Sequence, residues 1–148
     1  MTALRGSPEF WDAVVEAAAR LGIAERHVEK DYWVTATLRA LAERFDGLYL
    51  FKGGTSLSKA YHLLERFSED IDLPLVSDEG SATEDLPDEL ASVVGEVCGS
   101  VGIVDDRTEG FARRMLFAYP ELPNTPNGTW DASPDRHRTR RVRWHAMR

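Results

Sequence analysis

The chain has 148 residues, which suits one domain of ordinary size, and 43% of them are hydrophobic, enough for a buried core. Its single cysteine, Cys98, excludes an internal disulfide and a multi-cysteine zinc site, and its net charge is −7. No apolar run approaches the roughly 20 residues of a membrane-spanning helix, and residues 1–10 lack the apolar stretch of a signal peptide, so we expect a cytoplasmic protein with no membrane partner.

Hydrophobic spacing predicts two helices in the first third of the chain. Ser7 followed by Pro8 is typical of a helix start, and apolar residues continue at helical spacing over residues 10–21. Gly22 is a plausible stop for this helix. A second helix is predicted over about residues 24–45 because its apolar side chains form one stripe.

Next, a strand, a glycine turn, a helix and a second strand are predicted. The apolar run 48–51 is too short for a helix and is predicted as a strand, which Gly53 and Gly54 interrupt. Thr55 or Ser56 can cap a helix that continues to about residue 64. Apolar and polar residues then alternate from residue 70 to residue 75, which predicts the second strand.

After a polar loop, apolar spacing predicts a helix over residues 86–98 and strands over residues 101–104 and 111–119. The composition changes at residue 120, where four prolines precede an arginine-rich end. Residues 136–148 contain six arginines and no acidic residue, which leaves a net charge of −13 on the remaining residues, so this end can contact phosphate backbones. We expect one domain over residues 1–119 and a poorly ordered tail over residues 120–148.

Residues 51–73 carry the candidate chemistry. Gly53 and Gly54 allow the backbone to approach a phosphate without a Cβ in the way. The helix that starts there presents free N–H groups and the positive end of its dipole to the same anion. The side chains that can add donors are Thr55, Ser56, Ser58 and Lys59.

Period-two geometry places Asp70 and Asp72 on one face of their predicted strand. Two carboxylates so close together repel each other unless a hard cation lies between them, and Mg²⁺ prefers carboxylate oxygens together with substrate phosphates. It would neutralise triphosphate charge and activate an acceptor hydroxyl. Gly-Gly and Asp-x-Asp are each common, but their combination across one helix length is far more specific.

This combination resembles a known family. Gly53-Gly54-Thr55, then fourteen residues, then Asp70-Ile71-Asp72-Leu73 is similar to the signature of the nucleotidyltransferase fold. The strings LFKGGTSLSKAY and RFSEDIDL, with EKDYWV at residues 29–34, resemble the AbiEii/AbiGii branch, the toxins of type IV toxin–antitoxin systems. The resemblance covers about residues 24–119.

The resemblance implies an α/β (α+β) fold with a small mixed sheet flanked by helices. It also implies Mg²⁺-dependent transfer of a nucleotide from an NTP to an RNA acceptor, with the 3′ end of tRNA as the expected target and a separately encoded antitoxin as partner. In this family Asp70 and Asp72 match the catalytic metal ligands. The residues that match the nucleotide-binding part are Gly53, Gly54, Thr55 and Ser56, with Lys59 and Arg66 as further phosphate contacts.

Four other charged residues have interpretations that the sequence leaves open. Lys30 and Asp31 match the upstream motif and are interpreted as a structural ion pair that supports the site. Arg113 and Arg114 fall on opposite faces of their predicted strand, so one of them can face substrate. A solvated strand face is the alternative for these arginines.

The chain departs from the family pattern after residue 119. The fold normally supplies a third carboxylate from a later strand, but no strand-like segment with an acidic residue follows here. We therefore expect the C-terminal part of the family to be missing, as a shifted reading frame or a truncated gene would produce, and transferase activity to be weak or absent. Such a loss would expose apolar surface on residues 90–119 and favour self-association.

Three alternatives remain from the residues alone. The first is a remnant that binds nucleotide or RNA without turnover. The second is a phosphatase that uses Asp-x-Asp, although residues 65–69 before Asp70 are mostly polar where such enzymes have a hydrophobic strand. The third is a DNA-binding module that uses residues 136–148, a composition more typical of disorder.

Overall fold

The computed structural model describes residues 7, 9–59, 61, 70–75, 85–97, 103–109, 112–118 and 139–146. In these residues the chain forms, in order, α1 (Glu9–Leu21), α2 (Glu25–Arg44), α3 (Gly53–Lys59), β1 (Ile71–Leu75), α4 (Leu86–Val97), β2 (Ile103–Glu109), β3 (Ala112–Ala118) and β4 (Thr139–Ala146). This mixture of helices and a small sheet confirms the predicted α+β class.

Helices α1 and α2 match the predicted helices within a residue or two and pack against each other through an aromatic cluster. The backbone N–H of Phe10 donates to the Ser7 carbonyl at 3.1 Å, so the chain turns into α1 as the Ser-Pro start predicts. Phe10, Trp11 and Val14 are buried against the partly buried Tyr32 of α2. The rings of Phe10 and Tyr32 meet edge to face, with 4.6 Å between their centroids.

The main core lies between the helix pair α2/α4 and the sheet. Its buried side chains come from α2, β1, α4 and β3 and include Trp33, Leu41, Ile71, Leu73, Leu90, Val94, Met115 and Phe117. Most of the apolar side chains expected to be exposed on residues 90–119 are buried where the structure describes them, because α2 and the sheet cover α4 and α4 covers β3. Val97 and Leu116 are half-buried. The predicted self-association stays a prediction.

The sheet has the strand order β1-β4-β3-β2. Strand β4 pairs in parallel with β1 and antiparallel with β3, and β2 and β3 form an antiparallel pair. On the free side of β1, Leu50 donates its N–H to the Pro74 carbonyl at 2.8 Å, and isolated bridges join Tyr49 to Leu75 and Lys52 to Asp72. The predicted strand 48–51 is thus an extended segment bridged antiparallel to β1.

Strand β4 differs from the sequence-based expectation for the end of the chain. Residues 120–148 were expected to be poorly ordered, but residues 139–146 form a strand between β1 and β3. Strands β1 and β3 each provide β4 with a row of backbone partners, which a composition-based argument cannot foresee. Residues 120–138 lie outside the described residues, and the boundary at residue 119 stays a prediction.

Two further elements differ in their bounds. Helix α3 begins at Gly53, two residues before the predicted cap, and the predicted continuation beyond Lys59 falls largely outside the described residues. Strand β2 covers Ile103–Glu109 where only residues 101–104 were predicted, because β3 pairs with it over nearly its whole length. Of the helices in the described part of the chain, none is long and apolar enough to cross a bilayer.

Candidate active site

The glycine turn and the Asp-x-Asp strand meet at Gly53 and Asp72. Gly53 has a φ of +84°, which side chains disfavour, and a Cβ built on it would lie 2.7 Å from Oδ2 of Asp72. The backbone of Lys52, one residue earlier, donates to the Asp72 carbonyl at 3.2 Å. The Asp72 carboxylate therefore lies against the turn, in the space that a side chain at position 53 would occupy.

Asp70 is tied to the same turn by its backbone. It lies one residue before β1, and its carbonyl accepts a hydrogen bond from the hydroxyl of Thr55, whose side chain is buried. Ile71 and Leu73 are fully buried in the core, whereas Asp70 and Asp72 are half-buried. This burial pattern follows the predicted alternation, with the aspartates off the core face.

The remaining predicted nucleotide-binding residues fall at different places. Gly54 follows in the turn and is half-buried, and Ser56 is buried with its carbonyl accepting the Tyr61 N–H at 3.3 Å. Arg66 lies outside the described residues. The structure thus brings Gly53, Thr55 and the two aspartates together.

Lys59 has a partner that the sequence did not identify. Its ammonium group forms an ion pair with the carboxylate of Asp31, which lies 28 residues earlier on α2. The two side chains are 29% and 31% exposed, so water screens the pair only in part. The expected Lys30–Asp31 pairing is corrected accordingly: Asp31 links α2 to α3, and Lys59 is held at the end of the site helix.

Arg113 also forms ion pairs within the protein. Its guanidinium donates to both carboxylate oxygens of Asp106, at 3.0 and 2.7 Å, and to Asp88 of α4 at 2.6 Å. The hydrogen bonds from Arg113 hold the pKa of Asp106 below its ordinary value, and the same contacts raise the pKa of Arg113. Arg113 therefore links β2, β3 and α4. Of the two arginines that could face substrate, this leaves Arg114, which lies on the other face of the sheet.

The donor set fits a magnesium ion that is shared with substrate. Asp72 offers carboxylate oxygens beside a backbone that a phosphate can approach, and Mg²⁺ is commonly bound by one or two carboxylates plus phosphates. Among the described residues there is no group of three or more acidic, histidine or cysteine side chains placed to hold a metal. Strands β3 and β4 contain no acidic residue, and the acids of the sheet beyond β1 lie on β2, the far strand.

The comparisons with known proteins give one match. The model of the family described as the nucleotidyl transferase AbiEii toxin of type IV toxin–antitoxin systems matches residues 36–137, more than half of the chain. No curated protein and no solved structure matches the chain. The matched range contains the glycine turn and both aspartates.

Proposed function

Because the chain belongs to the family of the AbiEii nucleotidyl transferase toxins of type IV toxin–antitoxin systems, we propose that it binds an NTP with Mg²⁺ and transfers a nucleotide to an RNA acceptor. The observation that carries this proposal is the contact of the Asp72 carboxylate with Gly53. Because Gly53 has no side chain, the Asp72 carboxylate can lie against the turn, which puts a metal-binding oxygen beside the backbone proposed to bind the phosphates.

Each residue of the site has a role in this proposal. Gly53 and Gly54 give the triphosphate access to the backbone, and Thr55 fixes the turn to Asp70 through its hydrogen bond. Asp70 and Asp72 would hold the cation, with the phosphates of the substrate as its other ligands. When bound, magnesium would neutralise triphosphate charge and activate the acceptor hydroxyl.

The acceptor, the leaving group and the partner in this proposal are taken from the resemblance to the family. The acceptor is RNA, with the 3′ end of tRNA as the first candidate, pyrophosphate leaves, and a separately encoded antitoxin opposes the activity in the cytoplasm. Because a third carboxylate would normally complete the metal site and serve as base, we expect turnover by this chain to be low.

A second function, nucleotide binding without transfer, is favoured by one observation. Within the described part of the sheet, β4, which lies next to β1, and β3 beyond it have no acidic residue, so neither strand supplies a third carboxylate as base. In that case the glycine turn and the two aspartates would still hold Mg²⁺ and NTP.

Calorimetry and a transfer assay together test both functions. Titration with each NTP in the presence and absence of Mg²⁺ is expected to show Mg²⁺-dependent binding that Asp72→Asn and Asp70→Asn weaken at least tenfold. Asp12→Asn, the same change at an exposed residue of α1, should leave it unchanged. In the transfer assay, the wild type should transfer more label from radioactive NTP to tRNA than Asp72→Asn does.

The outcomes separate the proposals. Equal label transfer by wild type and Asp72→Asn, with Mg²⁺-dependent binding intact, would establish the binding function in place of the enzyme. Loss of NTP binding in Asp12→Asn as large as in Asp72→Asn, or no binding by the wild type, would overturn both.

A further inference from the structure

The sheet register aligns a row of basic residues with Asp72. Asp72 of β1 pairs with Arg143 of β4, Arg143 pairs with Arg114 of β3, and Arg114 pairs with Arg107 of β2. On the other side of β1, a bridge joins Asp72 to Lys52. We call Lys52, Arg143, Arg114 and Arg107 the cationic row.

The cationic row lies on the face of the sheet away from α2 and α4. Paired residues on neighbouring strands share a face, and successive residues of one strand alternate between faces. Met115 and Phe117 are buried in the core beneath α2 and α4, so Arg114, between Arg113 and Met115, belongs to the opposite face. Lys52 and Arg107 are exposed and Arg114 is half-buried, as expected for an open face.

We propose that the cationic row binds the sugar–phosphate backbone of the acceptor RNA and guides it to Asp72. This inference depends on the proposed function, because it gives the position of the acceptor in that reaction. Neighbouring strands are about 4.8 Å apart, so Arg107 lies about 14 Å across the sheet from Asp72. That is farther than a triphosphate bound at Asp72 extends, whereas a polynucleotide backbone can follow the whole row.

Charge complementarity selects RNA as the occupant. Outside residues 136–148 the chain has a net charge of −13, so most of its surface repels a polyanion. The cationic row concentrates positive charge along one line that passes Asp72 at the proposed metal site. The carboxylate of Asp105 lies 3.0 Å from the Arg107 guanidinium, and a backbone phosphate would replace it there.

The test is the salt dependence of RNA binding. Fluorescence anisotropy with labelled tRNA, between about 50 and 200 mM KCl, gives a slope of log K against log[salt] that reports the number of phosphates neutralised. We expect Arg107→Gln, Arg114→Gln and Arg143→Gln each to reduce that slope by about one, and the triple variant to weaken binding at least tenfold at low salt. Arg107→Lys, which keeps the charge, should bind nearly as well as wild type.

Arg20→Gln is the matched control, because Arg20 is an exposed arginine on α1 paired with Glu16. It should leave both slope and affinity unchanged, and circular dichroism should show that every variant is folded. Equal RNA binding by wild type, the triple variant and Arg20→Gln would overturn the inference, as would a failure of the wild type to bind tRNA at low salt. Stronger binding of the row to anionic lipid vesicles than to tRNA would also overturn it.

Calorimetric binding of Mg²⁺ and NTP by Arg107→Gln separates this inference from the proposed function, because Arg107 is the member of the cationic row that lies farthest from Asp72 in the sheet. Intact NTP binding with unaltered RNA binding would refute the cationic row and leave the proposed function standing. Loss of NTP binding in the wild type would refute the function itself, whatever the RNA result.

Discussion

The backbone of Gly53 has a φ of +84°, and the space beside its Cα is filled by the Asp72 carboxylate. Two separate costs oppose a side chain there: backbone strain at positive φ and a steric clash with Asp72. Gly47 has a similar φ of +79°, but a Cβ there would meet no atom within 4 Å. A comparison of the same substitution at Gly53 and at Gly47 therefore separates the cost of backbone strain from the cost of the steric clash.

We expect Gly53→Ala to lower the free energy of unfolding by about 2–3 kcal/mol and Gly47→Ala by about 1 kcal/mol, because only the first adds the clash to the strain. Urea unfolding measures both. Only Gly53→Ala should also weaken Mg²⁺-dependent NTP binding, since only this change displaces Asp72. Equal effects of the two substitutions on stability and on binding would show that Asp72 does not contact the turn in solution.

For single residues, the sequence correctly predicted the features that depend on local backbone geometry. The glycine turn and the alternation around Asp72 follow from backbone rules that act over a few residues. The partner of Lys59 could not be predicted, because Asp31 reaches it only after α2 and α3 have packed. Likewise, alternation placed Arg113 and Arg114 on opposite faces, but the choice between those faces required the position of α4.

Between elements, the Asp31–Lys59 ion pair is the described polar link from α2 to the site helix. Helix α3 has seven residues, too few to be stable in isolation, so contacts of this kind hold it in place. We expect Asp31→Asn and Lys59→Gln to couple with about 1 kcal/mol in a double-mutant cycle of unfolding free energies. The exposed Glu16–Arg20 pair on α1, the matched control, should show about 0.3–0.5 kcal/mol.

The charge-reversed protein Asp31→Lys/Lys59→Asp tests the predicted phosphate contact of Lys59. Exchange of the charges should restore most of the lost stability, because the pair is re-formed. It should leave NTP binding weak, because the cation then lies on α2. Restoration of NTP binding to the wild-type level would show that Lys59 acts only through Asp31.

The second link between elements is Arg113, and it makes stability depend on pH. Hydrogen bonds from Arg113 lower the pKa of Asp106 in the folded protein, so the stabilisation is present above the ordinary pKa of an aspartate and is lost as the pH falls through the lowered value. We expect Asp106→Asn to cost about 1 kcal/mol at pH 7 and progressively less below about pH 4.

Urea unfolding of wild type and Asp106→Asn across this pH range measures the difference. Asp12→Asn on α1, which changes the charge equally, controls for the effect of net charge. A stability difference between wild type and Asp106→Asn that stays constant down to about pH 2 would contradict the ion-pair explanation.

For the whole molecule, the central fact is that β4 joins two parts of the sheet. Strand β1 reaches β3 and β2 only through β4, because the strand order is β1-β4-β3-β2. We expect deletion of residues 139–148 to abolish cooperative urea unfolding, whereas deletion of residues 147–148, which keeps β4, should not. If deletion of residues 139–148 left the midpoint and the slope of the urea unfolding transition unchanged, the sheet would not need β4.

Most of the architecture could be predicted from hydrophobic period, because helices α1, α2 and α4 and strands β1 and β3 each bury one face or stripe. Strand β4 could not. Three of its eight residues are arginines, and an arginine-rich end of this kind is typical of a disordered tail. Its pairing depends on β1 and β3, which lie far from it in the sequence.

The parallel pairing of β1 with β4 also determines when the site can form during synthesis. Ile71 pairs with Val142, so the strand that follows Asp70 has no neighbour in the main sheet until β4, about 70 residues later in the sequence, has been translated. A nascent chain on the ribosome would contain both aspartates and the glycine turn while β1 and β3 remained unjoined. A toxin built in this way would complete the sheet beside its two aspartates only after residues 139–146 had been translated.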